Sequence, residues 1–328
     1  MPTKQQRNVL IVGGAGYIGS HMVRCVQQAG FTPIILDNLS TGHADAAGDA
    51  KLIIGDIHDS ILLNQLFENY SFVAVMHFAS FIQVSESVAA PARYYHNNVS
   101  GTLNLLKAMM HAKVKNFIFS SSASVYGEPH YLPIDEKHPI APVNPYGRTK
   151  AIVEQILQDF AHSYDMKYAV LRYFNAAGTD LHDGLAERHN PETHLIPLIL
   201  QVAKGQQPAI TIFGDDYPTI DGTCVRDYVH VNDICTAHLL VLNALLAGHS
   251  SCTYNLGTGQ GYSVREVLTA ARQVTGNTIM SVTSGRRAGD PAILVADAAA
   301  IQRDLNWRPR YNNVSEIIRS AWEIFVTP

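Results

Sequence analysis

The sequence predicts a doubly wound α/β fold, with a parallel sheet covered by helices on both faces and a second, smaller α/β lobe after it. Three observations carry this. Short apolar runs recur through the first half of the chain, segments with helical periodicity separate them, and after Asn175 glycines and prolines cut the chain into short elements. A strand buried on both faces reads as a continuous apolar run, and right-handed crossovers set a helix over each parallel pair.

In order, the first run is 8–12, and Ile18, Met22, Cys25, Val26 and Ala29 follow it at helical spacing. Further runs lie at 32–36, 52–54, 73–76, 117–119 and 168–171, with helices expected over 99–112 and 152–163. Beyond Asn175, residues 195–204 read as a helix. The run 229–231, followed by Asp233 and a helical stretch to Leu246, reads as another β-α unit returning to the main sheet. Ser263 with Glu266 fits a capping box opening a helix to about Thr275. The expected domains are 1–178, with a returning segment around 228–258, and 179–328.

Composition excludes several classes of protein. With 328 residues, 47% hydrophobic and only 16% charged, the chain can bury a large core and is not disordered. Lys and Arg total 24 against 28 Asp and Glu, a net charge of −4, so no broad positive field for nucleic acid exists. Apolar runs stop far short of the ~20 residues that span a bilayer, and no basic-then-apolar leader opens the chain. A soluble, cytoplasmic protein is expected. Cys25, Cys224, Cys235 and Cys252 form no CxxC pair, which suits reduced thiols rather than a disulfide framework or zinc knuckle. His189 and His194 are separated by Pro191, which argues against one helical face, and no metal is expected.

The strongest local motif is GGAGYIG from Gly13, with glycines at 13, 16 and 19 between the first strand and the first helix. Such a turn lets a pyrophosphate approach backbone N–H groups at a helix N-terminus, the Rossmann arrangement. Asp37 ends the second strand 18 residues after Gly19. A carboxylate there accepts hydrogen bonds from a ribose diol and repels a 2′-phosphate, favouring NAD over NADP. Asp56, after Gly55, falls where an adenine edge would lie or where it would cap the next helix. His77-Phe78-Ala79-Ser80 ends the fourth strand, at the side of the sheet where ligands bind. Tyr146 and Lys150 share a helix face at i and i+4, so the ammonium is expected to lower the phenol pKa and make a base. The serines at 120–122 end the fifth strand, where a hydroxyl can relay a proton.

Together these residues resemble the extended short-chain dehydrogenase/reductase family, nearly end to end. The likeness rests on GGAGYIGSH, DNLSTG from Asp37, NNVSGTLNLL from Asn97, SSSASVYG from Ser120, NPYGRTK from Asn144, FGDDYPTIDGTCVRDY from Phe213 and RRAGDPA from Arg286. The last two are the most specific. The resemblance implies a nucleotide-sugar epimerase that exchanges UDP-galactose and UDP-glucose through a 4-keto sugar, with a tightly held NAD. It implies that Tyr146 is the base, Ser122 bridges to O4, and Lys150 binds the nicotinamide ribose. It implies a cofactor site of Gly13, Gly16, Tyr17, Ile18, Gly19, Asp37, Asn38, Asp56, Ile57, Phe78, Ala79, Ser80, Asn97, Tyr146, Lys150 and Phe174. It implies a UDP-sugar site of Ser122, Tyr146, Asn175, His194, Leu195, Thr211, Phe213, Arg226, Arg287 and Asp290. The guanidinium forks of Arg226 and Arg287 suit the diphosphate. A homodimer packed through the helices at 99–112 and 152–163 is also implied.

The sequence departs from the family in places. Ile82 and Gln83 stand where many members carry a lysine, and His194 where some carry asparagine. Ile293 or Leu294 falls at the position that limits N-acetylated sugars, so acceptance of a UDP-N-acetylhexosamine stays open. Enzymes of UDP-glucuronate or a UDP-pentose differ mainly around C5 and remain alternatives. A nucleotide-sugar 4,6-dehydratase needs an acid/base pair after the catalytic hydroxyl, where this chain has Ala123-Ser124. An NAD-sensing regulator would have no use for Ser122, Tyr146, Lys150 and the two arginines.

Overall fold

The fold is described by a computed structural model covering residues 7–180, 184–287 and 289–326. Along the chain come β1 (Asn8–Val12), α1 (Tyr17–Gln28), β2 (Thr32–Asp37), β3 (Lys51–Ile54), α2 (Ser60–Asn69), β4 (Phe72–His77), α3 (Val84–Ala89) and α4 (Pro91–Tyr94). A π-helical stretch, Tyr95–Gly101, runs into α5 (Thr102–His111), followed by β5 (Asn116–Ser122), α6 (Pro145–Tyr164) and β6 (Lys167–Tyr173). Then follow β7 (Asn175–Ala177), α7 (Leu195–Ala203), β8 (Ile210–Phe213), β9 (Val225–His230), α8 (Val231–Leu246) and β10 (Cys252–Leu256). The chain finishes with β11 (Gly261–Ser263), α9 (Val264–Thr275), β12 (Ser281–Ser284), β13 (Ile293–Leu294), α10 (Ala299–Leu305) and α11 (Val314–Val326).

The main sheet is parallel and ordered β10-β6-β5-β4-β1-β2-β3. The chain builds outward from β1 to β3, then crosses back to β4 and builds the other way. The order therefore reverses between β1 and β4, and the carboxyl ends of these two strands make the crevice that doubly wound folds use for ligands. Strand residues Leu10, Val12, Leu36, Val75, Phe117 and Phe119 form one core with Leu63 and Leu66 of α2 and with two i, i+4 pairs, Leu105/Met109 of α5 and Val153/Leu157 of α6. Each such side chain contributes about 1.5–3 kcal/mol by leaving water.

The chain divides into two compact units. The first takes in Met1–Ser122, Pro145–Arg172 and Cys235–Tyr254, and the second Ala123–Asn144, Tyr173–Ile234 and Asn255–Pro328. More crossings occur than a break at 178/179 with one returning segment implies, because 123–144 leaves with the second unit. That unit has its own core, in which Ile196, Ile199 and Leu200 meet Val267, Leu268, Ile317 and Ile318.

Three expectations need correction. The run at 229–231 belongs mainly to β9, which pairs with β7, β11 and β13 in a smaller sheet. The strand that returns to the main sheet is β10, beside β6. Residues 99–112 are not one α-helix, since the π-helical stretch occupies Tyr95–Gly101. The helix expected over 152–163 begins earlier, at Pro145, so that it includes both Tyr146 and Lys150. The capping box forms as the spacing predicts: the Glu266 N–H donates to Ser263 Oγ at 3.1 Å, the Ser263 N–H to Glu266 Oε2 at 2.7 Å, and α9 ends at Thr275.

Candidate active site

The glycine turn lies at the mouth of the β1–β4 crevice. Gly13 has φ +80°, and a Cβ there would sit 2.5 Å from the Ala79 nitrogen, so only glycine lets the turn lie against the end of β4. A Cβ on Gly19 would fall 2.1 Å from the Gly13 carbonyl oxygen, which fixes the close packing of α1 on the turn. Gly16 is the N-cap of α1 and supplies no side-chain cap to that helix end. A helix start without a side-chain cap fits a pyrophosphate.

Asp37 is buried at the end of β2. Its Oδ2 accepts the Ala15 N–H at 2.9 Å and its Oδ1 the Leu39 N–H at 2.9 Å. The carboxylate thus braces the glycine turn, and each oxygen keeps a second lone pair for a ribose hydroxyl. Asn38 Nδ2 donates to Asp56 Oδ2 at 2.8 Å, and Asp56 Oδ1 accepts the His58 N–H at 2.9 Å. Burial raises the Asp56 pKa, but these hydrogen bonds outweigh it and hold the carboxyl below its ordinary value. Asp59, not Asp56, caps α2, accepting the N–H groups of Ile61 and Leu62 at 3.0 Å. The capping explanation for Asp56 therefore falls away. Ile57 is buried in the core cluster, a packing role.

The β4 end is tied down by its neighbours. The Phe78 and Ala79 N–H groups donate to the Val12 carbonyl at 2.8 and 3.1 Å. Asn97 donates to Asn98 Oδ1 at 2.9 Å. Asn98, which sequence reasoning missed, accepts the Phe81 N–H at 2.9 Å and donates to the Phe81 carbonyl at 3.0 Å and to Thr149 Oγ1 at 3.1 Å. It links the segment after β4 to α6. Its sequence signal was the doubled asparagine beside Asn97.

Ser122, Tyr146 and Lys150 come together as expected. Ser122 hydrogen-bonds the Tyr146 phenol. Lys150 Nζ donates to the Ser120 carbonyl at 2.7 Å and lies 5.7 Å from the Tyr146 ring centroid. Burial lowers the Lys150 pKa to about 7 against the opposing pull of Glu154. The expected lowering of the Tyr146 pKa is not found in the chain alone. Burial raises it to about 12, and the Ser122 hydrogen bond offsets only part of that. Spacing places the ammonium on the right face but carries no information about desolvation. Burial and the nearby Lys150 charge also hold His77 neutral, at about 3.

A buried ion pair stands one turn behind Lys150. Glu154 Oε1 accepts Arg172 Nε at 3.0 Å and Ser121 Oγ at 2.5 Å, while Arg172 Nη2 reaches Glu154 Oε2 at 2.5 Å. Neither residue was singled out from sequence. The detectable signals were a carboxylate at i+4 from Lys150 and an arginine inside an apolar strand.

The second unit holds Phe174 and the candidates from Asn175 onward. Asn175 on β7 pairs with Tyr228, and Phe174 donates its N–H to the Leu256 carbonyl at 3.2 Å. Thr211 and Phe213 lie on β8, and the Arg287 guanidinium stacks 3.8 Å above the Phe213 ring centroid. Arg226 on β9 forms an ion pair with Asp290 and donates to the Val225 carbonyl at 2.8 Å, so part of its fork is engaged within the chain. Leu294 on β13 stands in register with Arg226. His194 is the N-cap of α7, ahead of Leu195, and its Nδ1 lies 2.5 Å from Glu187 Oε1. His189 and His194 share no helical face, yet the loop between them turns so that their rings stand 5.1 Å apart.

A glycine turn at a helix start, a carboxylate ending β2 and a Ser–Tyr–Lys group are the equipment of an enzyme that works through a dinucleotide. Residues 9–257 match the model of the NAD dependent epimerase/dehydratase family, and the chain belongs to that family. It is 47% identical over 314 residues to the UDP-glucose 4-epimerase of Halalkalibacterium halodurans, covering 96% of this chain and 94% of that one. It superposes with a TM-score of 0.94 on the Brucella ovis UDP-glucose 4-epimerase in complex with NAD, at 46% identity, covering 97% of this chain and 98% of the other. The Bifidobacterium longum UDP-glucose 4-epimerase in complex with NAD+ and UDP gives 0.92 at 37% identity, with 97% of each chain covered.

Proposed function

We propose that this NAD-dependent enzyme interconverts UDP-galactose and UDP-glucose by transient oxidation at sugar C4. The observation that carries the reading is the hydrogen bond from half-buried Ser122 to buried Tyr146, with buried Lys150 one helical turn on. Held by these residues, NAD would supply a hydride acceptor and donor for C4 and a positive nicotinamide charge beside Tyr146. Tyr146 takes the O4 proton as C4 is oxidised, and Ser122 holds the same oxygen. A cationic neighbour favours the phenolate, which counters the burial that keeps Tyr146 protonated in the chain alone. After the 4-keto sugar turns over, Tyr146 returns the proton as hydride arrives on the opposite face. The neutral Ala123-Ser124 pair supplies no acid or base for loss of water, which disfavours a 4,6-dehydratase.

In this reading the first unit carries NAD on Gly13, Gly16, Asp37 and Asn38. The second carries the UDP-sugar on residues that include Phe213, Arg226 and Arg287. A homodimer packed through the helices around 99–112 and 152–163 belongs to the same reading and rests on the family resemblance. No helix among the described residues is long and apolar enough to cross a membrane. A cytoplasmic setting belongs to the same reading.

Purified protein given UDP-galactose without added NAD is expected to form UDP-glucose. A 4-keto-6-deoxy sugar, or no product from NAD-loaded protein, overturns the reading. Asp37→Arg is expected to lower the fraction of chains that retain NAD through purification, because it replaces the ribose acceptor and the brace on the Ala15 N–H. NAD released by acid and counted per chain is the readout; full occupancy removes Asp37 from the ribose site.

A further inference from the structure

We propose that Glu187, His189, Glu192 and His194 bind a divalent metal ion of the zinc type, which pins the loop leading into α7. This goes beyond the UDP-sugar reading and needs no turnover to be tested. Each of the four residues offers one ligand atom, and all four atoms lie within 4.8 Å of one another. His189 Nδ1 is 3.2 Å from Glu187 Oε1 and 3.7 Å from Glu192 Oε1, and His194 Nδ1 is 2.5 and 3.6 Å from the same two oxygens. Around a tetrahedral zinc with bonds of ~2.0–2.1 Å, neighbouring ligand atoms stand ~3.3 Å apart. Three of the four separations are already close to that, and the shortest has only to open by less than an ångström.

Charge gives a second, independent argument. The Glu187 and Glu192 side chains are only 7% and 5% exposed, and two desolvated carboxylates side by side require positive charge between them. One divalent cation with two neutral imidazoles and two carboxylates reaches neutrality with a single particle. The donor set of two imidazole nitrogens and two carboxylate oxygens suits zinc, cobalt or nickel better than calcium or magnesium, which prefer all-oxygen shells. Glu192 is held in place by the Thr193 and His194 N–H groups at 2.7 and 2.9 Å, the kind of outer support that metal ligands use.

The test is titration of untagged, chelator-stripped full-length protein with Co2+ alone. The expected result is one ion per chain with the intense visible absorption of four-coordinate cobalt, bleached by added Zn2+. Glu187→Gln and His189→Gln should each weaken Co2+ binding at least tenfold. His189 is the more exposed of the two, so its variant keeps the test open if Glu187→Gln fails to fold, with circular dichroism as the check. Absence of the cobalt spectrum, or uptake unchanged in His189→Gln, overturns the proposal. So does a set of imidazole NMR signals that does not move on addition of excess Zn2+, since the cluster would then be ion pairs alone. The metal count is independent of epimerase turnover, so its failure leaves the proposed function standing.

Discussion

Tyr146→Phe is expected to lower the rate of UDP-galactose and UDP-glucose exchange by roughly 10²–10⁴-fold, the usual contribution of a positioned acid or base. The substitution removes one hydroxyl and keeps the ring, which is packed within the buried face of α6. Ser122 loses its phenol partner, and its own hydroxyl is far too weak a base to take the O4 proton. The glycine turn and Asp37 are untouched, so NAD content per chain should stay at the parent's level. Turnover and bound NAD measured on one preparation separate the roles. Near-normal turnover removes Tyr146 as the base; lost NAD with lost turnover makes it a cofactor-binding residue instead.

Arg172→Met is expected to destabilise the protein by about 3–5 kcal/mol, because breaking a buried ion pair leaves the partner charge without compensation. Both side chains are under a tenth exposed. Glu154 would keep one hydrogen bond, from the Ser121 hydroxyl, and the attraction of Lys150. The double substitution Arg172→Met with Glu154→Leu should recover most of that loss, since a well-packed apolar pair replaces a buried salt bridge at little cost. It should nevertheless reduce activity, because Glu154 is the carboxylate whose attraction opposes burial at Lys150. Denaturant unfolding of the three proteins checks the first part and turnover the second. A single variant that unfolds within about 1 kcal/mol of the parent contradicts the account.

What could be read from sequence was what local sterics and spacing determine. The glycine turn was legible because Gly13 and Gly19 answer to contacts within a few residues and one strand end. Tyr146 and Lys150 were legible because i and i+4 on any helix share a face. The phenol's raised pKa was not, since desolvation depends on strands and helices far away in sequence. Asn98 was missed for the same reason: its partners Phe81 and Thr149 are 17 and 51 positions distant. The strands at 225–230 and 252–256 are alike in length and apolar content, so only pairing distinguishes the one that enters the main sheet. At His189 and His194 the absence of a common helix was read correctly, but a loop brought the two rings together.

The position of β10 bears on how the protein is made. Until Cys252–Leu256 has left the ribosome, β6 stands as the bare margin of a hydrophobic sheet, with a row of unanswered backbone groups. Synthesis runs from the amino terminus, so the nascent chain carries this sticky border while the whole of 174–251 is still being added. A transcript or proteolytic fragment ending before Cys252 would keep that border for good, and would invite strand exchange between copies rather than yield a smaller working enzyme.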